Sequence, residues 1–467
     1  MNGFATDPIA VPGRGDRVLV LGLGISGEAA ASHLLRLGAT VEVIDDADDP
    51  LLRERAASLK GARVVLGSSV AAGEMAGHVD LVVASPGVPE RAPALVAARA
   101  AGVPIWSEVE LAFRIARAPI VGVTGTNGKT TTTRMLASAL AASDVRTTAA
   151  GNIGRPLLDA VVEDHDVVVA ELSSFQLRHT VAFRAPIGVL LNVAPDHLDW
   201  HGTFDEYLAA KARLFSNQRA GDTAIHHDDE MCAGAAASSP GLKLAFAAAT
   251  VPTGGAGVDE AGWIAVPEGR IVETAHLRTR GVPGIANAVA AAAAACAFGA
   301  NATRVGTALA AFEPLPHRME LVAEVEGVSY VNDSKATNPH AVAAALDGLD
   351  GVVLIAGGRN KGLDLRPLAR SAQYVREVVA IGESAAEIEA AFASSGVPVE
   401  RAVTMDDAVA RAASGAEPGD TVLLSPGCAS FDMFADYKAR GEAFRAAVKR
   451  LEAAAAAPAA DMGEGTT

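Results

Sequence analysis

APIVGVTGTNGKTTTTRM, residues 118–135, sets a short apolar, β-branched run ahead of a glycine turn and a helix-forming segment. Pro119 to Thr124 fits a buried parallel strand, and Thr131 to Leu140 has the composition of a helix. The turn between them, Gly125-Thr126-Asn127-Gly128-Lys129-Thr130, makes a phosphate cradle in which backbone N–H groups and the helix N-terminus face an anion. Lys129 supplies a mobile positive charge and Thr130 a hydroxyl for Mg²⁺. A nucleoside triphosphate is the expected occupant, held by residues 125–130 and Thr131. The stretch is a variant of the strict P-loop pattern, because Val123 stands where a glycine is expected and Gly122 and Gly125 are the nearest glycines.

The 467 residues exceed one core and suggest three domains of roughly 150 residues each. Half of them are hydrophobic, only 4% are aromatic and alanine is abundant, which suits an α/β protein with closely packed helices. A net charge of −16 argues against nucleic acid as a partner. Part of that charge lies in Asp45-Asp46-Ala47-Asp48-Asp49, which reads as a solvated loop. Cys232, Cys296 and Cys428 are odd in number, far apart and in no metal spacing, so they read as buried apolar residues of a reducing compartment. The first twenty residues carry no secretory pattern, and the longest apolar stretch, 286–298, is too short to span a bilayer. A cytosolic monomer without membrane insertion is expected.

Upstream, residues 17–21 read as a strand running into Gly22-Leu23-Gly24-Ile25-Ser26-Gly27. A helix from Glu28 ends at Gly38, and a second strand, 41–44, finishes in Asp45. A full G-x-G-x-x-G with an acid about twenty residues on points to NAD. A UDP-sugar offers the same diphosphate to the helix N-terminus. Two further strands follow, 81–84 with a ligand loop Ser85-Pro86-Gly87-Val88, and 103–106. This first domain should end near residue 108. Ser107 then caps a helix to Ile115, with Glu110 at the capping-box position.

Downstream of the phosphate loop, strand 167–171 ends in Glu171, the leading Mg²⁺ ligand, with a strand-end acid capping the next helix as the other reading. Strand 187–191 opens into Asp196-His197-Leu198-Asp199-Trp200-His201, which is a metal cluster or an ordinary polar loop. Lys211, among alanines on the helix 204–215, reads as a solvated residue. Asn287 is the one polar side chain at the start of the long alanine-rich helix. A third domain begins near Phe312, where strands near 328–331, 352–356, 378–382 and 421–425 end in glycine or polar loops, the mark of a doubly wound sheet with ligands at its carboxyl edge. Residues 453–467 read as a frayed tail.

TGTNGKT (124–130), GNIG (151–154), ELSSFQL (171–177), Asp196-His197, LPHR (315–318), NDSKATN (332–338) and LSPGCASFD (424–432) together resemble the Mur ligase family from about residue 17 to about 450. The resemblance implies three domains: an N-terminal Rossmann-like UDP-binding domain (1–108), a central P-loop-type ATPase domain (109–312) and a C-terminal Rossmann-like domain binding the amino acid (313–452). It implies an ATP-dependent amide ligation in peptidoglycan assembly through an acyl phosphate and a tetrahedral intermediate. The substrates would be ATP, UDP-N-acetylmuramoyl-L-alanine and D-glutamate. Matched motif by motif, Lys129 and Thr130 would hold phosphates and magnesium, and Glu171 and His197 would be magnesium ligands. Lys211 would carry a carbamate that serves a second Mg²⁺. Gly24, Ile25, Ser26 and Ser85 would line the UDP site, and Asn152 would touch the muramoyl peptide. Asn287, His317, Arg318, Asp333 and Lys335 would contact the nucleotide. Thr337, Lys361, Ser430 and Tyr437 would hold D-glutamate.

The chain departs from the family at Pro283-Gly284, where relatives often have His-Asn, and at Asp46-Ala47, where relatives can have Thr-Arg. Tyr437 replaces a phenylalanine. Three other readings stand beside this one: a ligase of the same family adding a different amino acid, an NAD-dependent oxidoreductase, and a non-catalytic nucleotide-binding module. The D-glutamate type of the acceptor motifs weighs against the first. The second leaves the phosphate loop unexplained, and the third has no use for Lys211, Asp333 and Lys361 together.

Overall fold

Short apolar runs become buried parallel strands in each part of the chain, as expected of sheets covered on both faces. The computed structural model describes residues 10–456 apart from 69–72, 74, 280 and 348. Arg17–Leu21 (β1), Thr40–Asp45 (β2), Arg63–Leu66 (β3), Leu81–Ala84 (β4) and Ile105–Ser107 (β5) form a parallel sheet in the order β3-β2-β1-β4-β5. The winding reverses between β1 and β4, which opens a crevice at their carboxyl ends.

The second sheet contains Ile120–Thr124 (β6), Thr147–Gly151 (β7), Val167–Glu171 (β8), Ile187–Leu190 (β9), Thr223–His227 (β10) and Leu242–Phe246 (β11). Its order is β11-β10-β9-β6-β8-β7, and every pair is parallel. With β6 flanked by β9 and β8, Gly125, Asn192 and Glu171 leave the sheet at one edge. A small antiparallel sheet of Gly257–Val258 (β12), Trp263–Val266 (β13) and Gly269–Glu273 (β14) follows. The helix Gly281–Ala297 then buries Ala288 to Ala295 in the same core as Val121 and Val123 of β6. Alanine lets its backbone lie close to the elements it covers.

The chain divides into two compact units, residues 1–277 with 285–312, and 278–284 with 313–467. The first unit therefore holds both parallel sheets together. The second is built on Glu320–Val325 (β15), Val328–Asn332 (β16), Val352–Gly357 (β17), Val375–Ile381 (β18), Val399–Ala402 (β19) and Thr421–Gly427 (β20), in the order β15-β16-β20-β17-β18-β19. The β15–β16 pair is an antiparallel hairpin and the rest is parallel. It closes with the helix Tyr437–Ala456. Residues 453–456, expected in the tail, continue this helix because their alanines favour it; residues 457–467 lie outside the described residues.

Ser107 does cap the helix Glu108–Ile115, accepting the Glu110 N–H at 3.3 Å. The expected reciprocal half of the box is not made. Glu110 is wholly buried and instead accepts the backbone N–H groups of Val181, Ala182 and Phe183 at 2.7–3.0 Å, besides pairing with Arg114. Three tertiary donors and a buried guanidinium outcompete one local N–H. Among the described residues no helix is long and apolar enough to cross a membrane. The three cysteines are buried and free.

Candidate active site

Gly128, in the left-handed region at φ 84°, turns the chain from the loop into the helix Lys129–Ala142, which begins two residues earlier than its sequence suggests. Neighbouring strands hold this loop. Asn192, just after β9, accepts the Asn127 N–H at 2.9 Å and donates to the Asn127 carbonyl at 3.2 Å. Thr126 Oγ1 lies 2.9 Å from the Tyr207 hydroxyl and donates to the Ala194 carbonyl at 3.2 Å. Lys129 Nζ folds back to donate to the Gly125 and Thr126 carbonyls, each at 2.9 Å. Thr132 donates to Asn287 Oδ1 at 3.1 Å, which seats Asn287 against Gly128.

Lys211 is not the solvated residue its alanine neighbours suggest. It is 1% exposed, donates to the Gly125 carbonyl at 2.7 Å and stands 4.6 Å from the centre of the Tyr207 ring. Tyr207 and Lys211 are four residues apart on the helix Phe204–Ala212, so they share the face turned toward the phosphate loop. Burial, and next the charge of Lys129, drive the Lys211 amine well below its ordinary pKa. Asp196 and Glu171 oppose that shift, so both acids lie near it.

Glu171 ends β8 and is 2% exposed. Oε1 accepts from Asn152 Nδ2 at 2.9 Å, whereas Oε2 is buried with no hydrogen-bond partner. A buried carboxylate oxygen left bare is costly in a folded protein and suits a cation ligand. The reading of Glu171 as a helix cap fails: Ser173 caps the helix Ser174–Arg178 in a complete box with Gln176. His197 occupies a left-handed position at φ 53° with a partly exposed ring, 4.8 Å from Phe175. His201 is committed to the core, bonded to Ser174 Oγ at 2.9 Å and stacked on Phe175, and burial lowers its pKa to about 4. The two histidines of the segment thus part company. Among the described residues no group of three or more His, Cys, Asp and Glu side chains gathers as a ready metal cage. Glu171 Oε2 is the atom here suited to a cation, whose remaining ligands would come from phosphate and water.

The first sheet carries a cavity of about 440 Å³ lined by Gly24, Ile25, Ser26, Asp46, Ser85 and Val88 among others. Gly27 must be glycine, since a Cβ there would strike the Gly22 carbonyl. Residues 46–49 are exposed, as expected of a solvated loop, and Asp45 is half-buried: its carboxylate accepts the Leu23 N–H at 2.7 Å and the Ala47 N–H at 2.9 Å. Both oxygens brace its own loops, where an NAD enzyme would turn this acid to a ribose. Beside the cavity, Glu108 is buried and its Oε1 accepts from Gln176 Nε2 at 2.7 Å, while its Oε2 has no hydrogen-bond partner. The Glu108–Gln176 bond links the segment entering the phosphate loop to the helix that follows Glu171.

Burial raises the Glu108 pKa from 4.5 to about 7, so the fold binds its proton more tightly than the unfolded chain does. The resulting stability is present below pH 4.5 and lost as the pH rises to about 7. Glu108→Gln is expected to stabilise the protein at pH 8 by up to about 3 kcal/mol and to change nothing at pH 4.5. Paired melting curves at the two pH values check this, and a pH-independent difference would contradict it.

In the second unit Asp333 is buried, accepts from Ser425 Oγ at 3.0 Å and from the Met319 N–H at 3.3 Å, and burial raises its pKa to about 7. His317 Nδ1 lies 3.0 Å from Asn332 Nδ2, and the Lys335 N–H donates to the His317 carbonyl. Lys335 Nζ sits 4.0 Å above the Tyr437 ring. Arg318 lies between His317 and Met319, both left-handed. Thr337, Lys361 and Ser430 stand on the loops after β16, β17 and β20, with Ser430 buried. Pro283-Gly284 lies in the first turn of the helix Gly281–Ala297. Sequence reasoning did not single out Asn192, Tyr207, Asn332 or Arg440. The amides stand at strand carboxyl ends, where they could have been sought, whereas Tyr207 and Arg440 act across the fold and leave no local signal.

Family models match three consecutive parts of the chain: a Mur ligase MurD-like N-terminal domain at residues 16–107, the Mur ligase middle domain at 123–295, and the glutamate ligase domain of Mur ligases at 317–428. A UDP-N-acetylmuramoylalanine--D-glutamate ligase from Frankia casuarinae is 49% identical over 448 residues, 93% of this chain and 94% of that one. One of the same name from Streptomyces avermitilis is 44% identical, covering 94% and 99%. Among solved structures, a pseudomurein peptide ligase type C from Methanothermus fervidus has a TM-score of 0.59 at 18% identity, covering 94% of this chain and all of that one. MurF ligase from Thermotoga maritima in complex with ADP has a TM-score of 0.58 at 15% identity, covering 95% and 97%. At these identities the structural likeness concerns the fold alone.

Proposed function

The chain belongs to the Mur ligase family, and from that premise we propose that it joins D-glutamate to UDP-N-acetylmuramoyl-L-alanine with ATP, in peptidoglycan precursor synthesis. The domain limits proposed are 1–108 for the UDP substrate, 109–312 for ATP and 313–452 for the amino acid. ATP and a UDP-linked substrate suit a cytoplasmic reaction, and the assignment as a monomer is carried with it.

The observation that carries this reading is the pairing of β6 with β8. Register sets Val123 beside Glu171, so the lysine-bearing phosphate loop and a buried carboxylate with one bare oxygen leave adjacent strands side by side. A free carboxylate is a poor acyl donor; transfer of the γ-phosphoryl group to it creates a leaving group, and the amine then displaces phosphate. Loop N–H groups and Lys129 would hold the phosphates, moving from the carbonyls that Lys129 now caps. Thr130, Glu171, His197 and Lys211 would hold magnesium, which when bound neutralises charge on the phosphates. Asn152, already bonded to Glu171, would present the muramoyl peptide beside the ion, and the cavity at Gly24, Ile25, Ser26 and Ser85 would take the UDP group.

We assign Lys211 a carbamate and two ions to the site. Burial holds its amine well below the ordinary lysine pKa, which favours the neutral form that adds to carbon dioxide, losing a proton and becoming an anionic oxygen ligand. Asn287, His317, Arg318, Asp333 and Lys335 are proposed nucleotide contacts, and Thr337, Lys361, Ser430 and Tyr437 contacts of D-glutamate.

An amino-acid panel tests the reading. With UDP-N-acetylmuramoyl-L-alanine and ATP present, D-glutamate is expected to release phosphate, and L-alanine, L-lysine and L-glutamate to release none. Equal release with L-lysine, or ATP hydrolysis that ignores both substrates, would overturn it.

A further inference from the structure

The helix Tyr437–Ala456 brings Arg440 into the carboxyl edge of the second unit's sheet, where it is 1% exposed. Its fork reaches three loops at once. Nε donates to Ser334 Oγ at 3.0 Å and Nη2 to the Ser334 carbonyl at 2.9 Å, on the loop after β16. Nη1 donates to the Cys428 and Ala429 carbonyls at 3.1 and 3.3 Å, after β20, and lies 3.5 Å from the Gly357 carbonyl at the end of β17. Ser334 Oγ in turn donates to the Tyr437 carbonyl at 2.8 Å.

All these acceptors are neutral, and among the described residues no carboxylate pairs with this guanidinium. A buried cation is costly, and a stability role alone would be met by apolar packing of the same volume. Only arginine offers planar donors in directions fixed enough to set three turns relative to one another. Gly358 leaves the room required, since a Cβ there would meet the Ala429 carbonyl and approach Arg440 Nη1.

Resting on the D-glutamate reading above, we propose that Arg440 is a positioning residue for the amino-acid acceptor: it locks together the three loops that carry Thr337, Lys361 and Ser430. It also brings a positive charge to these loops, partly balanced by the Asp432 carboxylate. It has no part in activating the UDP-linked acid.

The test uses the full chain with Arg440→Lys, which keeps the charge and loses the fork, and Arg440→Met, which loses both. Two rates are read: amide formation against D-glutamate concentration, and hydroxamate formation from UDP-N-acetylmuramoyl-L-alanine, ATP and hydroxylamine without D-glutamate. The KM for D-glutamate is expected to rise about tenfold in the lysine variant and more in the methionine variant. The KM for ATP and the hydroxamate rate should stay within about twofold of wild type. An unchanged KM for D-glutamate, or parallel loss of both rates, would overturn the proposal. Should the methionine variant fail to fold, Ser334→Ala, expected to raise the same KM about threefold, decides in its place. The wild type in the same assay identifies its acceptor amine, so a failure of the D-glutamate reading appears there and a failure of this proposal only in the variants.

Discussion

Lys211→Ala is expected to lower turnover by at least about 10²-fold, the loss typical of removing a group that stabilises charge in the transition state. The wild-type side chain sits wholly buried against the Gly125 carbonyl, with its amine driven well below its ordinary pKa by burial. Two roles are open to such a group, and rescue separates them. If Lys211 acts as an anionic carbamate, acetate or formate entering the vacated space restores part of the rate, and methylammonium restores none. If it acts as a cation bracing the phosphate loop, the amine rescues and the acids do not. Normal turnover in the variant would refute any role at the ion site.

Gly128→Ala is expected to lower kcat/KM for ATP by about 10²-fold or more, with the fold retained. The φ of 84° alone costs a residue with a Cβ about 1 kcal/mol. The larger effect is steric: the added methyl runs into Asn287 Oδ1 and reaches 3.2 Å from Leu191 Cδ1. Asn287 is held by Thr132 and the helix bearing it is packed in the core, so the loop must give way and its N–H groups lose their common aim. Gly221→Ala makes the matched control, because a Cβ there meets nothing within 4 Å. Both variants should keep the wild-type circular dichroism spectrum. A Gly128→Ala protein with an unaltered KM for ATP would show that this turn is not a phosphate cradle.

What the sequence made legible follows from burial. Strands inside a parallel sheet, such as β1, β4, β6 and β8, are apolar on both faces and stand out as continuous runs. Among the strands passed over, β3, β7, β15 and β19 are sheet edges, partly exposed and mixed in polarity. The phosphate loop was legible because its chemistry is local, six residues making one turn. Lys211 was misread on composition because its burial depends on which face of its helix meets Gly125, and only the family resemblance gave it a role. Arg440 lies 106 residues from Ser334, and no spacing rule reaches that far.

The account rests on activation of an acid by phosphoryl transfer, and isotope transfer tests that step most directly. UDP-N-acetylmuramoyl-L-alanine labelled with ¹⁸O in both carboxylate oxygens is incubated with ATP, Mg²⁺ and D-glutamate, and the released phosphate is analysed by mass. Attack of the carboxylate on phosphorus, followed by displacement by the amine, predicts one ¹⁸O in every phosphate and one left in the new amide. Phosphate free of label, with amide still formed, would contradict the account.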